Sequence, residues 1–424
     1  MELFDQFRGI IGIAVLMGLA WVVSENRRCL PGWRWIAGAL VMQGLLAVLI
    51  VRVPLVWAAV GLVNDAVSAV EAATLKGSSY MFGYLGGAEL PFDLKDGAQP
   101  PLVIAFQILP LVIVFSALSA LLWHWGVLRW IVNGLGFLLR RSLGVSGVVG
   151  LSGGASVFLG VVEAPLVTRA YFGKVSRSEL FQIMTLTMAT ISGAILILYA
   201  TTLRNVVPDA VGHMISASLI SLPAALLIAR LVVPPAADDA ATEVEKEETG
   251  LRYESSIDAV VKGTMDGMQL FLAVIAVIIT VFALVALVDM ALAATALTVD
   301  GDPLTLKRLL GWALAPFMWL IGVPWAEAQA AGGLMGTKAV LNEYVAYLEL
   351  AALPAGTLGP RALLIVTYAL CGVANLASVG LLVSTIGTLC PERRAEAAGL
   401  GMKSWISGNL ASAMTGAWIG LVTW

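Results

Sequence analysis

The fold class this sequence predicts is an all-α polytopic membrane protein, with eight transmembrane helices and two re-entrant hairpins forming an inverted repeat. Three observations carry that expectation. The 424 residues are 59% hydrophobic and only 12% charged, with a mean hydropathy of +0.91, whereas soluble domains carry about 25% charged residues. Apolar runs of spanning length recur along the whole chain. Two further apolar stretches, 142–168 and 309–337, are rich in Gly and Pro, and each holds one ionisable residue, Glu163 and Glu327.

This composition excludes a soluble enzyme, a nucleic-acid binder and a disordered scaffold. Net charge is −3, and 25 basic side chains are too scattered to form a phosphate-binding face. Cys29, Cys371 and Cys390 and the histidines His124 and His213 lie far apart, so neither a disulfide framework nor a zinc site is indicated.

A bilayer core about 30 Å thick needs about 20 apolar residues per helix. The spans fall at 9–24, 35–56, 101–126, 178–203, 211–233, 268–292, 361–388 and 404–424. The first has Glu2, Asp5 and Arg8 before it, which lacks the basic start and small-residue cleavage site of a signal peptide. Residues 57–80 place Val60, Val63, Val67 and Val70 at helical spacing beside Asn64, Asp65 and Glu71, an amphipathic interfacial pattern. Residues 128–141 read similarly. His124, between Trp123 and Trp125, reads as part of an aromatic belt.

The distribution of Lys and Arg decides whether the two Gly/Pro-rich stretches cross. If they do not, and the N-terminus faces out, 16 basic residues lie inside and 9 outside, with Arg8 and Lys338 among the nine. If both cross, the split is 12 to 13 and the bias vanishes. The positive-inside rule therefore selects two re-entrant hairpins with both termini outside.

The polar run 234–256, with Asp238, Asp239, Glu243, Glu245, Glu247 and Glu248, reads as a solvated cytoplasmic linker. It divides the chain into scaffold helices (1–141), a first transport repeat (142–233), the linker, a scaffold helix (257–308) and a second transport repeat (309–424). Each repeat reads as a hairpin followed by two helices, entering from opposite sides, a plan shared by many secondary transporters.

The helix after each hairpin has polar interruptions, at Thr185–Gly193 and at Gly372–Ser378. Hydroxylated residues also serve helix packing, but Asn375 in an apolar span needs a partner. Lone carboxylates at membrane depth cost about 2.5–3.5 kcal/mol, which makes Glu163 and Glu327 candidate site residues. Glu343 has Lys338 and Asn342 nearby and reads as part of a structural network. Asp289 reads as interfacial.

Four segments then resemble the concentrative nucleoside transporter family, over nearly the whole chain. They are Gly160-Val161-Val162-Glu163-Ala164-Pro165-Leu166; Gly322-Val323-Pro324-Trp325-Ala326-Glu327-Ala328; Gly336-Thr337-Lys338 with Asn342-Glu343-Tyr344-Val345-Ala346; and Ala374-Asn375-Leu376-Ala377-Ser378. The resemblance implies symport of a nucleoside with a cation, by a homotrimer in a bacterial inner membrane, without an organic cofactor or nucleic-acid partner. It implies sugar contacts from Glu327, Asn375 and Ser378, and base-side contacts from Val161, Val162, Glu163, Ile195 and Val373.

Two departures matter. Gly160-Val161-Val162 stands where the family has Gly-Gln-Thr/Ser, and Val373 where it commonly has an aromatic, so the base pocket is more apolar. The cation positions are Ser156, Leu159, Thr190 and Ile191, and Ser156 replaces the Asn of sodium-coupled members. That favours H+ over Na+, with Glu163 as the carrier. The alternatives are a same-fold transporter of another ribose-containing or heterocyclic solute, and a membrane prenyl transferase using Asp238 and Asp239.

Overall fold

The computed structural model describes residues 2–95, 102–236, 239, 241–244, 251–295, 298–299 and 301–423. Asp238 and residues 245–250 of the acidic run lie outside the described residues. The helices are α1 (Glu2–Val22), α2 (Trp33–Arg52), α3 (Pro54–Phe82), α4 (Ile104–Gln107), α5 (Pro110–His124), α6 (Val127–Leu143), α7 (Gly147–Ser156), α8 (Glu163–Val167) and α9 (Arg177–Ala189). They continue as α10 (Gly193–Leu203), α11 (Ala210–Val232), α12 (Ser256–Ala294), α13 (Leu306–Leu320), α14 (Trp325–Val340), α15 (Glu343–Ala351), α16 (Pro360–Leu370), α17 (Leu376–Leu389) and α18 (Arg394–Val422). A two-residue strand pair, Thr298–Val299 with Asp302–Pro303, turns the chain between α12 and α13.

Local chemistry sets these boundaries. Pro54 forces Val53 into extended backbone (φ −93°, ψ 110°), so α2 stops and α3 begins one residue later. Ser176 and Glu179 form a reciprocal capping box that starts α9. Asn342 and Asn375 cap α15 and α17 by accepting from Val345 N and Ser378 N, both at 2.8 Å.

Among the described residues, five helical stretches are long and apolar enough to cross a bilayer: Trp33–Arg52, Ile104–His124, Arg177–Leu203, Ala210–Val232 and Ser256–Ala294. Phe7–Val22, Pro360–Leu370 and Leu376–Leu389 are shorter apolar helices. Helix α12 runs 39 residues, about 58 Å at 1.5 Å per residue. Its buried residues, Ala259, Gly263, Gly267 and Phe271, form one stripe four residues apart. A Cβ on Gly263 would stand 2.8 Å from Ala117 Cα, and one on Gly267 2.7 Å from Ile113 Cα. The two glycines thus let α12 lie directly on α5. By contrast, α9, α11 and the C-terminal half of α18 are buried nearly all round. Helices α1 and α2 pack on α18 and α11.

The two halves share one plan. An amphipathic helix (α6, α13) packs on a hairpin arm (α7, α14), whose return arm (α8, α15) leads to a broken helix (α9–α10, α16–α17) and a buried one (α11, α18). Glycines seat each arm on its amphipathic helix: Gly150 and Gly154 against Gly136 and Val132 in the first, Gly332 and Gly336 against Gly311 and Leu310 in the second.

This parallel corrects the expected second hairpin. The sharp bend of 118° between α13 and α14 is the elbow joining the amphipathic helix to the hairpin arm, equivalent to Gly144–Ser146 in the first half. The hairpin itself is α14–α15, with its tip at Leu341–Asn342. The Gly-Val-Pro run at 322–324 marks a turn, but periodicity could not tell an elbow from a tip. Arg8, 3% exposed, holds this elbow: its Nη2 donates to Val323 O at 2.8 Å and its guanidinium lies 4.7 Å from the Trp319 ring.

The polar linker is more than a solvated tether. Val148 N–H donates to Thr242 O (3.3 Å), while Thr242 N and Oγ1 donate to the Glu179 carboxylate at 2.9 and 2.8 Å. Arg140 pairs with Glu243 at 3.0 Å. Trp123, 1% exposed, donates from Nε1 to Leu251 O at 3.2 Å, so it anchors the linker's end and is no lipid-facing belt residue. Asp289 Oδ1 accepts from Leu306 N at 2.7 Å, at the chain's entry into α13.

Candidate functional site

The expected spans 178–203 and 361–388 are each interrupted in the middle, and the interruptions meet. After Ala189 the chain is extended at Thr190 (φ −118°, ψ 169°) and at Ser192 (φ −65°, ψ 148°) before α10 starts. After Leu370 it is non-helical through Asn375. Val373 N–H donates to Thr190 O at 3.3 Å, and a Cβ on Gly372 would stand 3.1 Å from Met188 O. A side chain at Gly372, whose φ is +154°, would press the two backbones apart. Asn409 of α18 donates to Ala374 O at 2.9 Å, so a second element satisfies the unwound backbone. Non-helical backbone at membrane depth persists where such partners or a cavity receive it.

Both hairpin tips reach these breaks. In the first, Gly193 N–H donates to Phe158 O (3.0 Å) and Thr190 Oγ1 donates to Ser156 O (2.9 Å). Glu163 opens α8 at this tip, its carboxylate folded so closely over Gly160 that a Cβ there would collide with it. Val161 is half-buried and Val162 exposed beside it, Ile195 is half-buried on α10, and Val373 is buried on the opposing break. Through the Gly193–Phe158, Thr190–Ser156 and Val373–Thr190 hydrogen bonds the first tip, the start of α10 and the opposing break are joined. The side chains of the expected base-side residues are apolar apart from Glu163.

In the second hairpin the carboxylate at the tip is Glu343. Tyr199 OH donates to its Oε1 at 2.7 Å and Asn375 Nδ2 donates to its Oε2 at 2.8 Å. Glu343 thus joins α10 of one repeat to the break of the other, and Tyr344 and Tyr347 pack on Tyr199 at ring distances of 5.4 and 5.1 Å. Each carboxylate oxygen retains a further acceptor position, and the Asn375 amide a second donor. Ser378, half-buried, follows one turn into α17.

Glu327 stands elsewhere. Its Oε2 accepts from Gly359 N at 2.9 Å, at the start of α16 and beside the elbow. The structure gives it no hydrogen bond to Asn375 or Ser378 and puts Glu343 there. The sequence expectation paired Glu343 with Lys338 and Asn342; instead Asn342 caps α15, and Lys338 Nζ donates to Ala369 O (2.9 Å) and Ser412 Oγ (2.6 Å). The available signal was Asn-Glu inside an apolar stretch, the start of a capped helix at a hairpin tip.

Of the expected cation positions, Ser156 and Thr190 are in direct contact. Thr190 Oγ1 donates to Ser156 O and to Leu186 O, both at 2.9 Å, and Ser156 Oγ donates to Gly153 O at 3.0 Å. These are neutral oxygens at the C-terminal end of half-helix α9. Among the described residues no group of three or more His, Cys, Asp or Glu is placed to hold a metal ion.

Comparisons with known proteins bear on this arrangement. Family models described as the Na+ dependent nucleoside transporter N-terminus, nucleoside recognition, and the Na+ dependent nucleoside transporter C-terminus match residues 11–85, 105–205 and 213–420. An uncharacterized transporter of Haemophilus influenzae is 35% identical, over 97% of this chain and 96% of its own. The nucleoside permease NupC of Helicobacter pylori is 30% identical over 99% of this chain and 98% of its own. The solved structure of CNTnw in an inward-facing substrate-bound state is 33% identical, with a TM-score of 0.86 over 99% of each chain.

Proposed function

The chain belongs to the concentrative, sodium-dependent nucleoside transporter family, and on that premise we propose that it imports nucleosides by symport, with protons as the coupling ion. It is a membrane transporter and not an enzyme. The observation that carries the site assignment is the Tyr199–Glu343–Asn375 network at the crossing of the two broken helices. A carboxylate and an amide offer acceptors and a donor to a vicinal diol, so we assign the ribose to Glu343, Asn375 and Ser378. Glu163, Val161, Val162, Ile195 and Val373 face the base. The apolar lining also suits another ribose-containing solute with a less polar ring.

Proton coupling is supported by the chemistry of Ser156 and Thr190. Both hydroxyl donors are spent on backbone carbonyls, and a serine hydroxyl is a poorer sodium ligand than an amide carbonyl. Glu163 at the same tip is the ionisable group available to carry the proton. Burial of Arg8 and Lys338 removes both from the outer loops, which sharpens the inside excess of basic residues and supports eight spans, hairpins entering from opposite faces, and both termini periplasmic. The long apolar face of α12 supports assembly as a homotrimer.

The test is uptake of labelled uridine, adenosine and guanosine into proteoliposomes under an imposed pH gradient, a sodium gradient, or neither. Accumulation driven by the pH gradient alone is expected. Accumulation driven only by sodium would overturn proton coupling, and no uptake under either gradient would overturn nucleoside symport.

A further inference from the structure

The two repeats differ at one equivalent place, and the difference bears on the number of ions. In the first repeat, the end of hairpin arm α7 meets the C-terminal end of half-helix α9, where Ser156 and Thr190 gather neutral oxygens. In the second, the end of arm α14 meets the C-terminal end of half-helix α16. There the space holds Lys338. Its side chain is 0% exposed, and its ammonium donates to Ala369 O in the last turn of α16 and to Ser412 Oγ of α18. Ser412 in turn donates to Gly408 O at 3.0 Å. The acceptors given to Lys338 are neutral oxygens at a helix C-terminus, which carries partial negative charge. Half-helix C-termini of this kind are where transporters bind coupling cations.

We propose that Lys338 is a tethered cation: it permanently fills the second of two pseudo-equivalent cation sites, leaving only the Ser156–Thr190 site for an exchangeable ion. The ammonium does for α16 what the coupling ion does for α9, holding the half-helix end against its hairpin arm. Because the charge is covalently attached, the second repeat keeps its hairpin tip, and with it Glu343, positioned through the whole cycle. One ion per nucleoside follows. This inference rests on the assignment of the first site as the coupling site.

The experiment replaces the ammonium and offers it back. Lys338→Ala is expected to lose about 100-fold in uptake, as two charge-assisted hydrogen bonds vanish. Methylammonium or ethylammonium at millimolar concentration is expected to restore at least tenfold of that loss; tetramethylammonium, which has no donor, is expected to restore nothing. The same small amines should raise the melting temperature of detergent-solubilised Lys338→Ala and leave the parent protein unchanged. That binding readout needs no transport, so it stands even where the symport assignment fails. Failure of every small cation to rescue or stabilise Lys338→Ala would overturn the tethered-cation role. Lys338→Gln keeps a donor without charge and serves if the alanine variant does not fold. It is expected to be as impaired as alanine, and wild-type uptake by it would likewise overturn the proposal.

Discussion

The two hairpin tips share a backbone plan and carry opposite chemistry. At the first, Glu163 lies over Gly160 next to Val161 and Val162, and its carboxylate is held by the backbone of Gly160 and Glu163. At the second, both oxygens of Glu343 are engaged, by Tyr199 and by Asn375. A charge held by two donors is fixed in place before a substrate arrives. One held only by its own turn of backbone keeps no side-chain partner in the other repeat among the described residues. The difference teaches that a repeated fold can divide labour, with a rigid polar end for the part of the substrate that does not vary and a soft apolar end for the part that does.

The comparison breaks most decisively at the carboxylates. Glu343→Gln is expected to reduce uptake about 30- to 150-fold, because a charge-assisted bond is worth about 2–3 kcal/mol and the new amide opposes the Asn375 donor. Glu327→Gln is expected to stay within about threefold of the parent, since the amide oxygen can still accept from Gly359 N and only the charge on that bond is lost (about 0.5 kcal/mol at its partly exposed site). Labelled-uridine uptake by the two variants side by side decides; the reverse order would return the sugar site to Glu327.

Asn375→Ala tests the rigidity of the second tip. It removes the cap of α17 and leaves one Glu343 oxygen without its donor, costing about 1–3 kcal/mol. A lower melting temperature together with a raised KM is expected; unchanged values for both would mean the network does not position the tip.

A smaller change sharpens the apolar end. Val161→Gln restores a polar partner for the base, and a single new hydrogen bond of about 1 kcal/mol should shift the preference between uridine and adenosine about fivefold. Competition uptake measures the ratio, and an unaltered ratio would place Val161 outside the base pocket.

The smallest effect lies away from both tips, in the α1–α2 turn. A two-pronged hydrogen bond from Arg177 holds the Glu25 carboxyl down at about 2, with burial opposing and Lys403 adding to the effect. A carboxyl whose folded value is depressed stabilises fully above its ordinary 4.5 and loses that contribution as pH falls towards 2. The melting temperature of the parent should therefore exceed that of Glu25→Gln by less than about 3 °C at pH 6, and the two should converge near pH 2. A gap that persists in acid would assign the effect to packing.

Much of this was legible in the sequence because it is local. Low charge sets the membrane class, and apolar runs place α2, the Ile104–His124 stretch and α11 to within a few residues, whereas α12 starts twelve residues before its expected span. Asn342 and Asn375 are cap residues at the starts of helices, and the Gly and Pro of 142–168 fall where the chain breaks between α7 and α8. Even the polar interruptions after each hairpin turned out to be breaks. These features depend on residues a few positions apart, where propensity, periodicity and capping operate.

What only the tertiary structure decided is which partners meet. Tyr199 and Glu343 are 144 residues apart, Arg8 and Val323 are 315 apart, and Lys338 and Ser412 are 74 apart. No local pattern encodes such a pair, because each polar group in an apolar span must be satisfied by whichever donor or acceptor the packing delivers. The sequence by itself determined that buried carboxylates, an amide and a lysine would need partners. Packing of the two halves decided that Glu343, and not Glu327, is the one that finds Asn375.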